Sequence, residues 1–258
     1  MSLRTEQIAD GITLHLGDCL DILPTLGSVA HIFSDPPYED ELHEGAKERR
    51  IVRSDGRAMY GDLGFVGING TRDAVAAACV AASDGWCLLF TLAEGVRAWR
   101  DALQAAKAKY DTTLFWVKPD ASPRFNGQGA ARGAECMVTA WCGRGHRSWN
   151  GGGRRGVFTH LVNADRQGEH PTEKPVPLMV ELVSLYSQPD QLICDPFMGS
   201  GTTGVAAVKT GRCFVGIEQD TRWFDLSCRR IEAALKAPGR FKRQQLCPDQ
   251  SFLFGESA

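Results

Sequence analysis

The sequence of 258 residues lacks any apolar run that approaches the roughly 18 to 20 residues needed to cross a bilayer. Its amino terminus, MSLRTEQIAD, is polar and has no apolar stretch like that of a secretory signal. These two absences predict a soluble, cytoplasmic chain with no membrane partner. The formal net charge is only -2, so any attraction to nucleic acid must come from a local basic patch.

Paired cysteines are also missing. The nine cysteines are odd in number and none belongs to a CxxC pair, which argues against a disulfide framework and against a zinc cluster. Cys87, Cys194 and Cys213 lie inside apolar, strand-like runs, where a thiol behaves as a small buried hydrophobe. We therefore expect no metal site.

Apolar runs of strand length alternate with helical patterns along most of the chain. Strand-like runs occupy 12–16, 29–34, 86–91, 113–117, 136–141, 191–197 and 213–218, and helical patterns occupy 71–83, 94–109, 175–187, 200–210 and 221–236. This alternation predicts an α/β fold with a doubly wound, mostly parallel seven-stranded sheet. No helical pattern separates 113–117 from 136–141, so these two strands are expected to form an antiparallel pair at one edge.

The remaining segments suggest one domain with a tail. We expect a single domain over residues 1–236, and a tail over 237–258 because that stretch contains Pro238, Pro248 and Gly255. The segments 39–70, 118–134 and 143–170 are polar or rich in glycine. Each is therefore predicted to be a loop, a lid or a small recognition insert.

A glycine-rich turn follows the strand at 191–197. LICDPFMGSGTTGVAA runs from that strand through Gly199, Ser200 and Gly201 into a helix, whose amino terminus offers free N–H groups and partial positive charge. Glycine also serves simply to turn tightly, so the turn alone leaves both interpretations open. Glu218 ends the next strand about 20 positions further on, where a carboxylate would accept hydrogen bonds from two ribose hydroxyls. The GKS or GKT of a triphosphate loop is missing, which favours a nucleoside without a phosphate chain.

The tetrapeptide Asp35, Pro36, Pro37 and Tyr38 ends an earlier strand, where open α/β sheets bind ligands. The amino group of a base is a poor nucleophile because its lone pair is delocalised into the ring. Asp35 and the Pro36 carbonyl could accept its two N–H groups and aim the lone pair at a methyl donor. Tyr38 offers a ring on which an extruded base could stack, worth roughly 1 to 3 kcal/mol. The alternative is a strand exit stiffened by proline, with Asp35 capping a turn.

Together these motifs resemble those of the DNA amino-methyltransferases, a branch of the class I S-adenosylmethionine-dependent fold. The family's catalytic DPPY matches 35–38, its DPFxGSGTT matches 195–203, HPTEKP at 170–175 resembles the lead-in to the cofactor site, and GDCLDIL at 17–23 resembles the segment beside the cofactor's adenine. The tetrapeptide precedes the glycine motif, as in the permuted β group. Enzymes that methylate protein glutamine or ribosomal RNA often have the opposite order, so the order argues against those acceptors.

The resemblance implies a division of labour along the chain. Residues 12–142 would form the catalytic half, 143–169 a short recognition insert and 170–236 the cofactor-binding half. Catalysis would involve Asp35, Pro36, Pro37 and Tyr38. S-adenosylmethionine would be bound by Asp18, Cys19, Asp35, Thr172, Lys174, Asp195, Phe197, Gly199, Ser200, Gly201, Thr202 and Glu218. Lys174 has an alternative interpretation, as a solvated charge at a helix start.

The acceptor base is inferred from the first residue of the tetrapeptide. In the resembling family Asp favours adenine N6 and Ser favours cytosine N4, so Asp35 predicts adenine, with cytosine N4 as the alternative. A cytosine C5 enzyme would need a Pro-Cys pair, whereas this sequence has only Cys247 followed by Pro248. A catalytically silent DNA-binding subunit is a further alternative, disfavoured by intact Asp35 and Glu218.

Double-stranded DNA is the expected partner. Residues 143–169 combine basic and aromatic side chains, as phosphate and base contacts would require, and the predicted contacts are Arg144, His146, Arg147, Trp149, Arg154 and Arg155. A solvated arginine loop is the alternative. Gln250, Leu253 and Phe254 resemble the peptides that dock bacterial proteins onto the replication sliding clamp, which would be a second partner. The resembling group also suggests a homodimer and a bacterial or phage origin.

Overall fold

The computed structural model describes residues 4–38, 68–124, 127–162 and 173–237. Thr172, most of the segment 39–70 and the clamp-like tail with Gln250, Leu253 and Phe254 lie outside them. The described strands are β1 Arg4–Ala9, β2 Ile12–Leu16, β3 His31–Ser34, β4 Trp86–Thr91, β5 Lys109–Val117, β6 Ala134–Trp141, β7 Val157–Thr159, β8 Leu192–Asp195 and β9 Cys213–Glu218. They form a single sheet in the order β1-β2-β9-β8-β3-β4-β6-β5-β7.

Helices cover both faces of this sheet. They are α1 Cys19–Ile22, α2 Arg72–Ala82, α3 Val96–Ala105, α4 Val176–Tyr186, α5 Thr202–Lys209 and α6 Thr221–Lys236. One apolar core lies beneath α4, α5 and α6, and the other beneath α1, α2 and α3. None of the helices within the described ranges is long and apolar enough to cross a membrane.

The longest helix illustrates how the sequence sets these elements. The Asp220 carboxylate caps α6 by accepting hydrogen bonds from the backbone N–H groups of Arg222 at 2.8 Å and Trp223 at 3.3 Å. Phe224 and Ile231 recur on one face and are fully buried. The spacing of apolar residues therefore fixes which face of α6 packs on the sheet.

The predicted α/β class is confirmed, but the strand count of seven was wrong, since the described residues form nine strands. The strand β1 was missed because its residues are polar and half exposed, as befits an edge. The strand β7 was missed because it is only three residues long. The predicted antiparallel pairing of β5 with β6 is correct, yet the pair lies inside the sheet, since β7 adds parallel to β5.

Parallel pairing brings the sequence motifs to one edge. The strand β3 pairs in parallel with β8, which pairs in parallel with β9. The residues that follow these strands therefore meet at their carboxyl ends, although they belong to opposite halves of the chain. This edge is where ligands bind in open α/β sheets.

Candidate active site

A cavity of about 580 Å³ opens at the carboxyl ends of these strands. Its volume lies within the roughly 300 to 1,000 Å³ of small-molecule sites. Its walls bring together most of the predicted catalytic and cofactor residues: Asp18, Cys19, Asp35, Pro36, Pro37, Tyr38, Lys174, Asp195, Phe197, Gly199, Ser200, Thr202 and Glu218. The two motifs thus face one shared space.

Gly201 does not line this cavity. Both Gly199, with φ of 52°, and Gly201, with φ of 81°, adopt the left-handed conformation that favours glycine. A Cβ atom on Gly201 would come within 2.8 Å of the Cβ of Ser227 on α6. Its missing side chain lets the turn pack against α6, and the cofactor contact of Gly201 stays a prediction.

The Glu218 carboxylate is held at the wall of the cavity. Its oxygens accept hydrogen bonds from the backbone N–H groups of Gly199 and Asp220, both at 2.8 Å. Burial raises the pKa of Glu218. An ionised carboxylate has about four acceptor positions, so these hydrogen bonds leave acceptor capacity for a bound ribose. Asp18 lies beside it, because the backbone N–H of Gly17 donates to the Glu218 carbonyl at 2.9 Å.

Asp195 ties the two motifs together. Its carboxylate accepts hydrogen bonds from the hydroxyls of Ser34 and Thr203, both at 2.5 Å, and from the backbone N–H of Phe197 at 3.1 Å. Burial raises its pKa to about 6. Since both oxygens are already engaged, Asp195 fixes the glycine turn against the end of β3.

Asp35 belongs to a buried cluster of charges. Its Oδ2 accepts a hydrogen bond from Lys174 Nζ at 2.5 Å, and the same ammonium donates to the Tyr38 hydroxyl at 3.0 Å. Lys174 Nζ also lies 3.3 Å from Oε2 of Glu135, which accepts a hydrogen bond from the Tyr38 hydroxyl at 3.0 Å. Lys118 donates to the other oxygen of Glu135. Two carboxylates, two ammonium groups and one tyrosine hydroxyl therefore form one connected cluster.

The cluster determines the charge states of its members. Burial raises the pKa of Asp35, and the charge of Lys174 opposes this effect. Burial also disfavours the charge on Lys174, but Asp35 and Glu135 outweigh it and raise its pKa well above the usual range. Burial of Glu135 is likewise outweighed, by Lys174 and Lys118, so its pKa falls to about 2. Lys174 and Glu135 are therefore both ionised at neutral pH.

The second oxygen of Asp35 is different. Oδ1 is buried and has no hydrogen-bond partner among the described residues. A buried acceptor left unsatisfied costs about 1 to 3 kcal/mol, and more when it is charged. Such an atom beside a cavity marks where a donor on a ligand would be accepted.

Lys174 was predicted to bind cofactor, whereas its ammonium is engaged by Asp35, Tyr38 and Glu135. Sequence reasoning missed Glu135 and Lys118. The available signal was a charge at the end of a strand: Glu135 is the second residue of the mostly apolar β6, and Lys118 directly follows β5.

The predicted DNA contacts lie elsewhere. Trp149 packs edge-on against Tyr186. The guanidinium carbon of Arg147 lies 5.7 Å from the ring centre of Trp86, the first residue of β4. This amino end of β4 lies at the opposite end of the sheet from Asp35, which follows the carboxyl end of the parallel strand β3. Arg147 pairs with Asp111. Arg154 similarly pairs with Glu181 on α4. The structure does not bring these residues to the cavity, so their DNA contacts stay a prediction.

Within the described part of the chain, no cluster of three or more histidine, cysteine or acidic side chains could hold a metal ion. The cavity instead has features that fit a nucleoside cofactor beside a base. Glu218 has free acceptor positions for a ribose, and Oδ1 of Asp35 is an unused acceptor. This fold and site define a class I methyltransferase.

Comparison with known proteins identifies the family. A family model described as "DNA methylase" matches residues 29–228, so the chain belongs to this family of DNA amino-methyltransferases, which depend on S-adenosylmethionine. The Type II methyltransferase M2.MboI of Moraxella bovis is 26% identical over 259 residues, covering 84% of this chain and 86% of that protein.

Solved structures share the fold. The crystal structure of M1.HpyAVI in complex with SAM matches with a TM-score of 0.66 at 21% identity, over 84% of this chain and 97% of that one. The cytosine-N4-specific PvuII DNA methyltransferase matches with a TM-score of 0.64 at 15% identity, over 86% of each chain. At these identities the likeness concerns the fold alone.

Proposed function

We propose that the protein transfers a methyl group from S-adenosylmethionine to the exocyclic N6 of an adenine that is flipped out of double-stranded DNA. The observation that carries this proposal is the asymmetry of Asp35. One carboxylate oxygen is fixed by Lys174, while the other is buried beside the cavity with no hydrogen-bond partner in the described part of the chain. A small rotation of the carboxylate would present this oxygen to an amino group.

The tetrapeptide supplies what an aromatic amine needs. Asp35 accepts one N–H of the amino group and the Pro36 carbonyl accepts the other, which draws the nitrogen toward tetrahedral geometry. Pro37 keeps this stretch rigid. The ring of Tyr38 is anchored through its hydroxyl, so its face is available for stacking of the extruded base.

The opposite wall of the cavity would hold the cofactor. S-adenosylmethionine supplies an electrophilic methyl group when bound. Glu218 accepts the ribose hydroxyls, Asp18 and Cys19 lie beside the adenine, and the Gly199 turn allows close approach of the backbone. Fixing the amine and the donor in one cavity removes much of the entropic barrier to transfer.

The choice of adenine rests on Asp35 as the first residue of the tetrapeptide. Methylation of cytosine N4 is the second candidate, because the cytosine-N4-specific PvuII enzyme shares the fold. Both reactions use the same acceptor geometry at an exocyclic amine. The product therefore distinguishes them.

The test is incubation of purified protein with unmethylated bacterial DNA and tritiated S-adenosylmethionine, followed by mass spectrometry of the nucleosides. We expect N6-methyladenine from the wild type and none from Asp35→Ala. Detection of N4-methylcytosine instead would show that the acceptor is cytosine and not adenine. Unlabelled DNA, with the cofactor still bound, would overturn the proposal.

We further infer that DNA contacts in the insert come mainly from Arg144, His146 and Arg155. Their side chains are exposed, and the two arginines have no ion pair within the described ranges, unlike Arg147 and Arg154. If these residues contact phosphates, their removal should lower the salt dependence of DNA binding. An unchanged salt slope in Arg144→Ala/Arg155→Ala would contradict this inference.

A further inference from the structure

We propose that Glu135 is a positioning residue for methyl transfer, which shares the Lys174 ammonium with Asp35 and offsets its positive charge next to the reacting amine. This inference rests on the proposed amine methylation but does not depend on whether adenine or cytosine is the acceptor. Glu135 lies outside the four sequence motifs at 17–23, 35–38, 170–175 and 195–203.

The first argument is the cost of burying this carboxylate. The side chain of Glu135 is 11% exposed, and it belongs to a strand whose other buried residues are apolar except for Thr139. A buried charge is tolerated only when well-placed partners compensate its desolvation. Glu135 has three such partners: Lys118 on one oxygen, and Tyr38 and Lys174 on the other.

The second argument is the direction of charge movement during transfer. The lone pair of the amine forms the new N–C bond while the C–S bond breaks and its electron pair stays on sulfur. Positive charge thus moves from sulfur to nitrogen, until the methylated nitrogen loses a proton to Asp35 or to water. A lone ammonium that is 2.5 Å from the Asp35 carboxylate would oppose this movement.

The charges of the cluster cancel only when Glu135 is present. Asp35 and Glu135 balance Lys118 and Lys174, so the cluster is neutral overall. Without Glu135 the cluster carries one net positive charge, and Lys174 binds Asp35 alone. The Asp35 oxygens would then be weaker acceptors for the amine.

Glu135 also fixes geometry. By accepting from the Tyr38 hydroxyl at 3.0 Å, it anchors the ring on which the base would stack. By drawing Lys174 toward β6, it holds the ammonium on the Oδ2 side of Asp35 and leaves Oδ1 unused. Glu135 acts on the substrate only through Tyr38, Lys174 and Asp35.

The experiment compares the full-length wild type with Glu135→Gln, which keeps the size of the side chain and removes its charge. Turnover on DNA, the KM for DNA, cofactor affinity by calorimetry and Tm are measured together. We expect kcat to fall roughly 10- to 100-fold, with cofactor affinity changed less than about threefold. A wild type that labels no DNA would refute the proposed function itself, whereas an active wild type with an equally active Glu135→Gln would refute only the role of Glu135.

The pH profile separates this role from a purely structural one. The charged or titratable groups facing Asp35 are Lys174 before α4, Tyr38 in its own loop, Glu135 on β6 and Asp195 on β8. The charge of Glu135 raises the pKa of Asp35, so its removal should shift the acid limb of kcat to lower pH. A merely structural role would lower Tm and leave that limb in place.

Glu135→Asp provides the matched control if the glutamine variant folds poorly. It keeps the charge but is shorter by one methylene, so we expect reduced kcat with the acid limb of the wild type. If Glu135→Asp shifts the limb as far as Glu135→Gln does, charge is not the cause and the proposal fails.

Discussion

Lys174 Nζ lies 2.5 Å from Oδ2 of Asp35, a residue 139 positions earlier in the chain. The HPTEKP segment, which leads into the cofactor-binding half, therefore contributes a cation to the acceptor of the base. This ion pair joins the two halves of the protein, as do the contacts of Lys174 with Glu135 and of Ser34 with Asp195. Substitutions of Lys174 and of Asp35 can therefore distinguish the roles of the two residues.

We predict that Lys174→Met impairs catalysis much more than cofactor binding. Without the ammonium, Asp35 and Glu135 face each other as like charges, so the pKa of Asp35 should rise and the acid limb of kcat should move to higher pH. Turnover at neutral pH should fall at least roughly tenfold. The measurements are a pH profile of kcat and calorimetry with S-adenosylmethionine.

Lys174→Arg serves as the control for that experiment. It retains the charge, so the acid limb should stay close to that of the wild type. Loss of cofactor affinity in Lys174→Met with an unmoved pH profile would instead support the cofactor contact that the sequence motif implied.

Asp35→Ala and Glu218→Ala should separate chemistry from cofactor binding. We expect Asp35→Ala to abolish methyl transfer while the Kd for S-adenosylmethionine changes only a few-fold. Glu218→Ala should raise the Kd for S-adenosylmethionine by roughly 10- to 100-fold, because hydrogen bonds to a charged acceptor are worth about 1.5 to 3 kcal/mol. Calorimetry and single-turnover assays on both variants provide the comparison. Equal losses of cofactor affinity in the two variants would contradict these roles.

Gly201→Ala should destabilise the fold through packing as well as backbone strain. A left-handed conformation costs an alanine about 1 to 2 kcal/mol, and the added Cβ would meet the Cβ of Ser227 at 2.8 Å. We expect a loss of roughly 2 to 4 kcal/mol in the free energy of unfolding, measured by urea denaturation.

Gly127→Ala is the matched control for Gly201→Ala. Gly127 has a similar φ of 64°, yet a Cβ there would meet nothing within 4 Å. Gly127→Ala should lower the free energy of unfolding only through backbone strain, by roughly 1 kcal/mol. If the two variants are equally destabilised, the close contact between the glycine turn and α6 does not contribute to the free energy of unfolding.

Stability should fall as the solution is acidified below pH 6.5, in part because of His31. Burial lowers the pKa of His31 to about 4, and its Nδ1 accepts a hydrogen bond from the backbone N–H of Trp86 at 3.0 Å. The unfolded chain takes up this proton near pH 6.5 and the folded chain only near pH 4. The contribution of neutral His31 to the free energy of unfolding is therefore complete above pH 6.5. It is lost between pH 6.5 and pH 4, by up to about 3 kcal/mol.

His31→Gln tests this assignment. Urea denaturation of both proteins between pH 7 and pH 4 should show a shallower loss of stability in the variant. His15, whose pKa is also lowered to about 4 by burial, is present in both proteins, so the difference isolates His31. Parallel curves would mean that His31 does not contribute.

The sequence predicted the helices and the central strands well, because fully apolar runs such as β4 and β9 have few alternatives in an α/β chain. It also placed Asp35 directly after one strand and Glu218 at the end of another, and the parallel sheet brings both residues to one cavity. It did not reveal the partners of Lys174. Whether a lysine is solvated or buried depends on neighbours such as Glu135, which are distant in sequence. Nor did the sequence reveal that Asp111 pairs with Arg147 and Glu181 with Arg154, since these acidic partners are also distant in sequence.

The position of β8 and β9 between β2 and β3 has a consequence for the order of assembly during synthesis. A ribosome releases β2 and β3 long before the two strands that join them, so the nascent chain has two unpaired sheet edges in the interim. Insertion of the last strands closes the sheet and completes both walls of the cavity in the same event. A chain that ends before β8 and β9 therefore lacks the part of the cavity wall that contains Asp195 and Glu218.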